Sequence, residues 1–430
     1  MLIKNYLLLS TFFLLFASLQ VQSQTYAIVI KGGHVVDAKN NIDAIMDVAI
    51  DDGKIALVAK NIDAGKANQV VDAKGLYVTP GLIDIHGHVF AGTEPDHYLS
   101  NGLVALPPDG FTFRVGVTTI VDAGGAGWKS FATFKKNIID NAKTRVLSFL
   151  NIVGEGMRGG VYEQNPHDMD PRMAAMVARQ NRNYIVGFKV AHYEAGEWIA
   201  VDRAVEAGKI AGLPVIVDFG GDDTHAPLSI EELFFKHLRP GDIYTHAFTE
   251  LDRRDPIVDL KTRHLKPFVT EAQKRGIVFD VGYGGGSFDF RQAIPALKSG
   301  FYPNTMSTDL HTGSMNGAMK DMLNVMSTFM ALDMKIPDII KASTWTPAQV
   351  IKREELGNLS VGSVADVAIL HVLQGDFGLF DRMGYKVKSK QKFSCEMTIR
   401  EGRIVYDLNG IATPINAPAR TSAVPNANRH

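Results

Sequence analysis

Two histidines, His86 and His88, stand one residue apart at the end of the apolar run GLIDIHGHVF, residues 81–90. Neutral imidazoles bind divalent cations and carry protons, so a pair on one face could open a metal site. A short Leu/Ile run bounded by TPG and a glycine-containing loop reads as a buried strand of about five or six residues. Alternate side chains of a strand share a face. Asp84, His86 and His88 are therefore expected to point one way, and Ile83 and Ile85 the other. An isolated His-x-His is more often a pair of core histidines bonded to backbone carbonyls, so the decision falls to polar residues elsewhere in the chain.

Those residues sit at the ends of further β-like runs. After GLIDIH come VTTIVDAG, RVLSFLNIV, IVGFKV, LPVIVDFG, DIYTHAF, GIVFDVGYG and NTMSTDL, with helical stretches between them. Eight strands alternating with helices over residues 80–352 is the rhythm of an α/β fold of the (β/α)8, or TIM-barrel, type, whose site lies at the C-terminal strand ends. A doubly wound open sheet would need a glycine-rich phosphate turn after its first strand, and HGHVFAGTEPD is not one. One βα unit takes on the order of 30 residues. His88 to Lys189 is 101 residues, Lys189 to Asp218 is 29, Asp218 to His246 is 28, and His246 to Asp309 is 63. This spacing puts the five at the ends of strands 1, 4, 5, 6 and 8. Parity pairs Lys189 with Gly187, Asp218 with Ile216, His246 with Tyr244 and Asp309 with Ser307, all expected to face the barrel mouth.

Imidazoles mixed with carboxylates suit one or two divalent metal ions, zinc first, with manganese or iron also compatible. His86, His88, Lys189, Asp218, His246 and Asp309 are the candidate ligands. Lys189 is the odd member. Burial and a nearby cation would push its amine towards the neutral form, which can add carbon dioxide to become a metal-bridging carbamate, an N6-carboxylated lysine. A snorkelling surface lysine fits poorly with the apolar run IVGFKV.

The chain resembles the amidohydrolase superfamily, and within it the amidohydrolase/deacetylase group related to dihydroorotases and dihydropyrimidinases. The resemblance runs through GKIALVA, VTPGLIDIHGH, GFKV, LPVIVDFG, THAF, STDLHTGS, STWTPAQVI and LGNLSVGSVADVAIL, which span nearly the whole chain after residue 23. It implies that His86, His88, Lys189 as carbamate, His246 and Asp309 hold metal, and that Asp309 is also the catalytic proton carrier. Two positions depart from the pattern. Asp218 stands where relatives commonly end strand 5 with histidine, and His192 or His225 could supply the missing imidazole. Tyr283 stands where a histidine is expected, which leaves either an altered substrate contact or a packing role. Arg158, Gly285 within GYGGGSF, and His311 are further candidates for touching substrate.

The remaining sequence frames this site. With 46% hydrophobic and 21% charged residues the chain can bury a large core, and 45 Lys and Arg against 46 Asp and Glu leave no basic field for nucleic acid. Residues 1–23 carry a lysine, an apolar stretch too short to span a bilayer and a small-residue end, the pattern of a signal peptide. Export, to a periplasm in a Gram-negative source, is expected, with no stable membrane anchor. The single cysteine, Cys395, excludes an intrachain disulfide and is expected to be buried and inert. Short β-like runs in 24–79 and 353–410 suggest one small, β-sandwich-like domain built from both chain ends, and 411–430 reads as a disordered tail. The expected partner is a small-molecule acyl substrate, and a homo-oligomer is compatible with the composition. Three function classes follow: a metal-dependent deacylase cleaving an amide or ester, a cyclic-amide hydrolase of the dihydroorotase or hydantoinase kind, and a decayed barrel that binds ligand without turnover.

Overall fold

The computed structural model describes residues 25–91, 104–218 and 227–413. The leader, His225 and the tail beyond residue 413 lie outside the described residues. Among those described, the strands form two sheets. The first takes β1 (Tyr26–Asp37), β2 (Ile42–Asp51), β3 (Lys54–Ala59), β4 (Ala67–Asp72) and β5 (Tyr77–Pro80) from the start of the chain. The second is a curled parallel sheet of β6 (Leu82–Gly87), β7 (Val117–Gly127), β8 (Arg145–Asn151), β9 (Ile185–Val190), β10 (Val215–Val217), β11 (Ile243–Tyr244) and β12 (Val278–Phe279), paired in chain order. The chain then returns to the first sheet as β13 (Val367–Phe380), β14 (Lys386–Arg400) and β15 (Arg403–Asp407).

The two chain ends are joined at β5 and β13, which run antiparallel with Val78 opposite Ile369. Ile28, Ile30, Val48, Ile50, Val78, Val367, Ile369 and Ile399 share one buried cluster. Burying each such side chain stabilises by about 1.5–3 kcal/mol, so neither end can leave the sheet without exposing the other. The first residues of the expected tail are held in place. Ile411 and Ala412 donate their backbone N–H groups to Asp407, and Ala412 is buried. Cys395 is buried, and burial pushes its thiol up to about 12. Among the described residues no helix is long and apolar enough to cross a membrane.

The parallel sheet is covered on its convex face by helices, among them Pro171–Gln180, Ile199–Ala211, Pro267–Arg275 and Phe290–Lys298. Leu82, Ile120, Phe188, Val215, Tyr244 and Phe279 pack there with Ala174, Ala204, Val269 and Ala293 of those helices. A separate cluster of Ile83, Ile85, Val121, Leu147, Phe149, Val186, Ile216 and Ile243 draws on six neighbouring strands, which places it on the concave face.

The eighth expected strand, NTMSTDL, is not a regular strand. It makes isolated parallel bridges, Thr305 with Asp280 beside β12 and Leu310 with Gly87 of β6, so it lies between the two edges of the sheet. Its ladder is broken for a physical reason. Met306 donates its N–H to Ala342 O, and Thr308 donates its own to the Asp84 carboxylate instead of a strand carbonyl.

Candidate active site

The register of β6 against β7 slips between Asp84 and Gly87, which pair with Ile120 and Asp122. Three steps on one strand match two on the other, so β6 carries a bulge. The bulge parts Asp84 from His86, which were expected on one face, while Ile83 and Ile85 keep the side opposite Asp84. Ile83 and Ile85 belong to the concave cluster, whereas Asp84 turns to the other side, lining a cavity with Val117, Ile120 and Thr308. There burial raises the Asp84 carboxyl to about 7, against the hydrogen bonds from Thr308.

His86 and His88 nevertheless converge. His88 Nε2 lies 2.8 Å from Asp309 Oδ1, and His86 Nε2 lies 3.5 Å from the same oxygen. One ligand atom from each of these three buried residues lies within 4.8 Å of the others. Burial alone would raise the Asp309 pKa, but the imidazoles of His86 and His88 hold it well below the usual carboxylate range. Burial, then the Lys189 charge, depresses the pKa of His86, keeping that ring neutral.

The polar groups behind His86 fix its tautomer. Thr245 Oγ1 donates to Asp280 Oδ2 at 2.7 Å, so at 2.8 Å from His86 Nδ1 it accepts the ring N–H. Nε2 is thereby left as the acceptor, 3.2 Å from Lys189 Nζ and 3.5 Å from Asp309 Oδ1. Asp280 also accepts hydroxyls from Thr305 and Ser307, each at 2.6 Å. On His246, Nδ1 donates to Gly282 O, which turns Nε2 towards Asp218 Oδ2. His88 Nδ1 is buried without a hydrogen-bond partner. Two imidazole nitrogens and a carboxylate oxygen in contact, with an orphaned ring nitrogen beside them, are a donor set that fits a divalent ion.

The other expected ligands gather around Asp218. Its Oδ2 lies 3.3 Å from His246 Nε2, 3.8 Å from His192 Nε2 and 3.9 Å from Lys189 Nζ. Lys189 is fully buried, with Nζ 3.2 Å from His86 Nε2. Burial lowers its pKa, opposed by Asp218 and Asp309. A residue without a sequence signal completes this group: Arg254, from the loop after β11, is ion-paired with Asp218. Burial opposes ionisation of Asp218, but Arg254, followed by His246 and Lys189, holds its carboxyl well below the ordinary range.

His192, His246 and Asp309 all have left-handed backbone, with φ of 49°, 57° and 52°. Non-glycine residues adopt that conformation at a cost of order 1–3 kcal/mol, and such strain clusters at functional sites. It also explains a failed parity expectation. Tyr244 packs outward against Phe234 and Phe279, and the turn at His246 then swings the imidazole inward to Asp218 and His86.

The candidate substrate residues divide. His311 Nε2 is 3.7 Å from Asp309 Oδ2, and a Cβ on Gly285 would lie 3.6 Å from His311 Cε1, so both are at the mouth. Gly284 is tighter still: its φ is 60° and an added Cβ would lie 2.5 Å from Asp309 Oδ2. Tyr283 has the packing role, stacked on Phe288 with its hydroxyl donated to Phe380 O. Arg158 bonds Glu155 and stacks over Tyr162 on its own loop. The nearby cleft of about 540 Å³ is lined instead by Arg253 and Arg254, with Glu163, Gln164, His192 and Asp218. Of the residues the sequence reading missed, Asp280 alone had a signal. IVFDVG ends β12 much as VIVDFG ends β10.

No protein-family model matches the chain. It is 31% identical over 349 residues to a deacetylase from Agrobacterium fabrum, covering 80% of this chain and 82% of that relative. The chain belongs to the amidohydrolase superfamily. Among solved structures it resembles an adenine deaminase, with a TM-score of 0.80 and 27% identity over 89% of this chain and 100% of that one. A dihydroorotase matches with a TM-score of 0.75 and 26% identity, over 88% of this chain and 99% of that one. As a member of this superfamily the protein is a metal-dependent hydrolase, and the polar end of the curled sheet is where its candidate residues meet.

Proposed function

We propose that the protein is a deacylase that cleaves the acyl C–N or C–O bond of a small molecule, using a divalent ion, zinc first, held by His86, His88 and Asp309. The observation that supports this most is the meeting of those three side chains, from the end of β6 and the segment after β12, within ligand distance of one another. When bound, the ion supplies a Lewis acid that polarises the acyl carbonyl and lowers the pKa of water. Asp309 stays ionised beside two imidazoles, so it can accept the proton of the attacking water. It returns that proton to the leaving nitrogen or oxygen as the new C–O bond forms and the old bond breaks. Thr245 and Asp280 keep the His86 lone pair directed at the centre.

The same reading makes Lys189 a carbamate. Its buried amine, driven towards neutrality, adds carbon dioxide through a new N–C bond and releases one proton, giving an anion beside His86. Residues 304–310 then act as the eighth strand closing a (β/α)8 barrel, and the sheet of both chain ends forms a separate small domain. The leader exports the chain.

Turnover of N-acetyl amino acids and acetyl esters by the zinc-loaded protein tests the proposal, run beside hydantoins and dihydroorotate. The likeness to a dihydroorotase structure favours the cyclic-amide alternative, and opening of rings alone would decide for it. A chain that binds no ion and turns over neither class would refute both. Fractionation of cells expressing the full chain tests export.

A further inference from the structure

The six expected ligands fall into two groups with different chemistry. His86, His88 and Asp309 bring nitrogen and oxygen donors together with no fixed cation bonded to the Asp309 carboxylate. Lys189 and His246 lie against Asp218, a carboxylate that already has one. Asp218 Oδ1 is ion-paired with Arg254 Nη2, and both side chains are buried, at 7% and 9% exposure. Among the described residues Arg254 Nε and Nη1 are buried without partners, and Asp218 is the principal group compensating this guanidinium. A guanidinium keeps its charge at any working pH and cannot step aside by losing a proton. A second dication coordinated by Asp218 would sit beside that charge in a buried pocket, where like charges repel strongly.

We propose that this protein holds a single divalent ion, on His86, His88 and Asp309, and that Arg254 takes the place of a second cation by neutralising Asp218. The inference rests on the hydrolase reading above only for the identity of the first site. It also gives Asp218 a consistent role. A carboxylate at the end of β10 is the partner that a buried arginine requires, since an unpaired guanidinium there would be strongly destabilising.

Metal content tests this without reference to turnover. The full chain, dialysed to equilibrium against micromolar zinc and measured by inductively coupled plasma mass spectrometry, should hold one ion. Arg254→Met should hold two and Arg254→Lys one, with melting curves to establish that each variant is folded. With cobalt(II), Arg254→Met should give the exchange-coupled EPR signal of neighbouring ions, and the natural protein the uncoupled signal. Two ions in the natural protein overturn the proposal alone, whatever the variants do. A folded Arg254→Met that stays at one ion overturns the role of Arg254. A natural protein that binds none refutes the hydrolase reading together with this one.

Discussion

Thr245→Val removes one hydroxyl from the chain of groups behind His86 and should weaken metal binding far more than it weakens the fold. The hydroxyl accepts from His86 Nδ1 at 2.8 Å and donates to Asp280 Oδ2 at 2.7 Å. Valine keeps the shape and loses both bonds. Asp280 retains Thr305 on one oxygen and Ser307 on the other, so most of the cost falls on His86. Without an ion, the ring can place its proton on Nε2, towards Asp309 Oδ1 at 3.5 Å, and relieve the loss. With an ion on Nε2 the proton must stay on Nδ1, buried and without an acceptor, at about 1–3 kcal/mol. At 1.4 kcal/mol per decade that is roughly a 5- to 150-fold weaker zinc dissociation constant, in keeping with the 10- to 100-fold typical of groups behind a ligating histidine. Competition with a chromophoric chelator measures it. Thr245→Ser, which keeps the hydroxyl, should bind close to the natural protein. If Val and Ser variants bind zinc equally, the hydroxyl does not set the His86 tautomer and the reasoning fails.

Gly284→Ala should lower kcat and weaken zinc binding, because its Cβ would lie 2.5 Å from Asp309 Oδ2 at a φ of 60°; full activity at full zinc content would show that Asp309 tolerates displacement. Arg382→Ala should destabilise the fold by about 3 kcal/mol in urea titration, since it strips a buried carboxylate, Asp289, of the cation whose Nε–H both its oxygens share. An unchanged midpoint would refute this. Asp47 has a carboxyl held below its ordinary 3.8: burial opposes, but Lys31 and the N–H groups of Gly32 and Ile62 prevail. A depressed folded pKa contributes stability above pH 3.8 that is lost as pH falls through the folded value. Asp47→Asn should therefore melt lower than the natural protein at pH 7, with the two curves converging in acid. A constant gap across that range would contradict it.

Much of the site was legible in the chain because barrel-like βα units repeat at a nearly constant length, so the intervals between His88, Lys189, Asp218, His246 and Asp309 located strand ends without coordinates. Strand faces were less legible. Alternation assumes an unbroken strand, and here a bulge at Asp84–Gly87 and left-handed residues at His246 and Asp309 reset the direction of the side chains. His86 and Asp309 face the centre, while Asp84 and Tyr244, assigned to the same face by parity, pack on the other side.

Residue type and spacing thus determined that imidazoles and carboxylates from distant segments would gather at one end of a parallel sheet, since hydrophobic periodicity and unit length are local properties of the chain. The tertiary structure decided which of them touch: Arg254 on Asp218, Thr245 and Asp280 behind His86, and Tyr283 in the core. Those contacts join loops and strand ends far apart in sequence, and their geometry is set by backbone turns and close packing that no local pattern encodes.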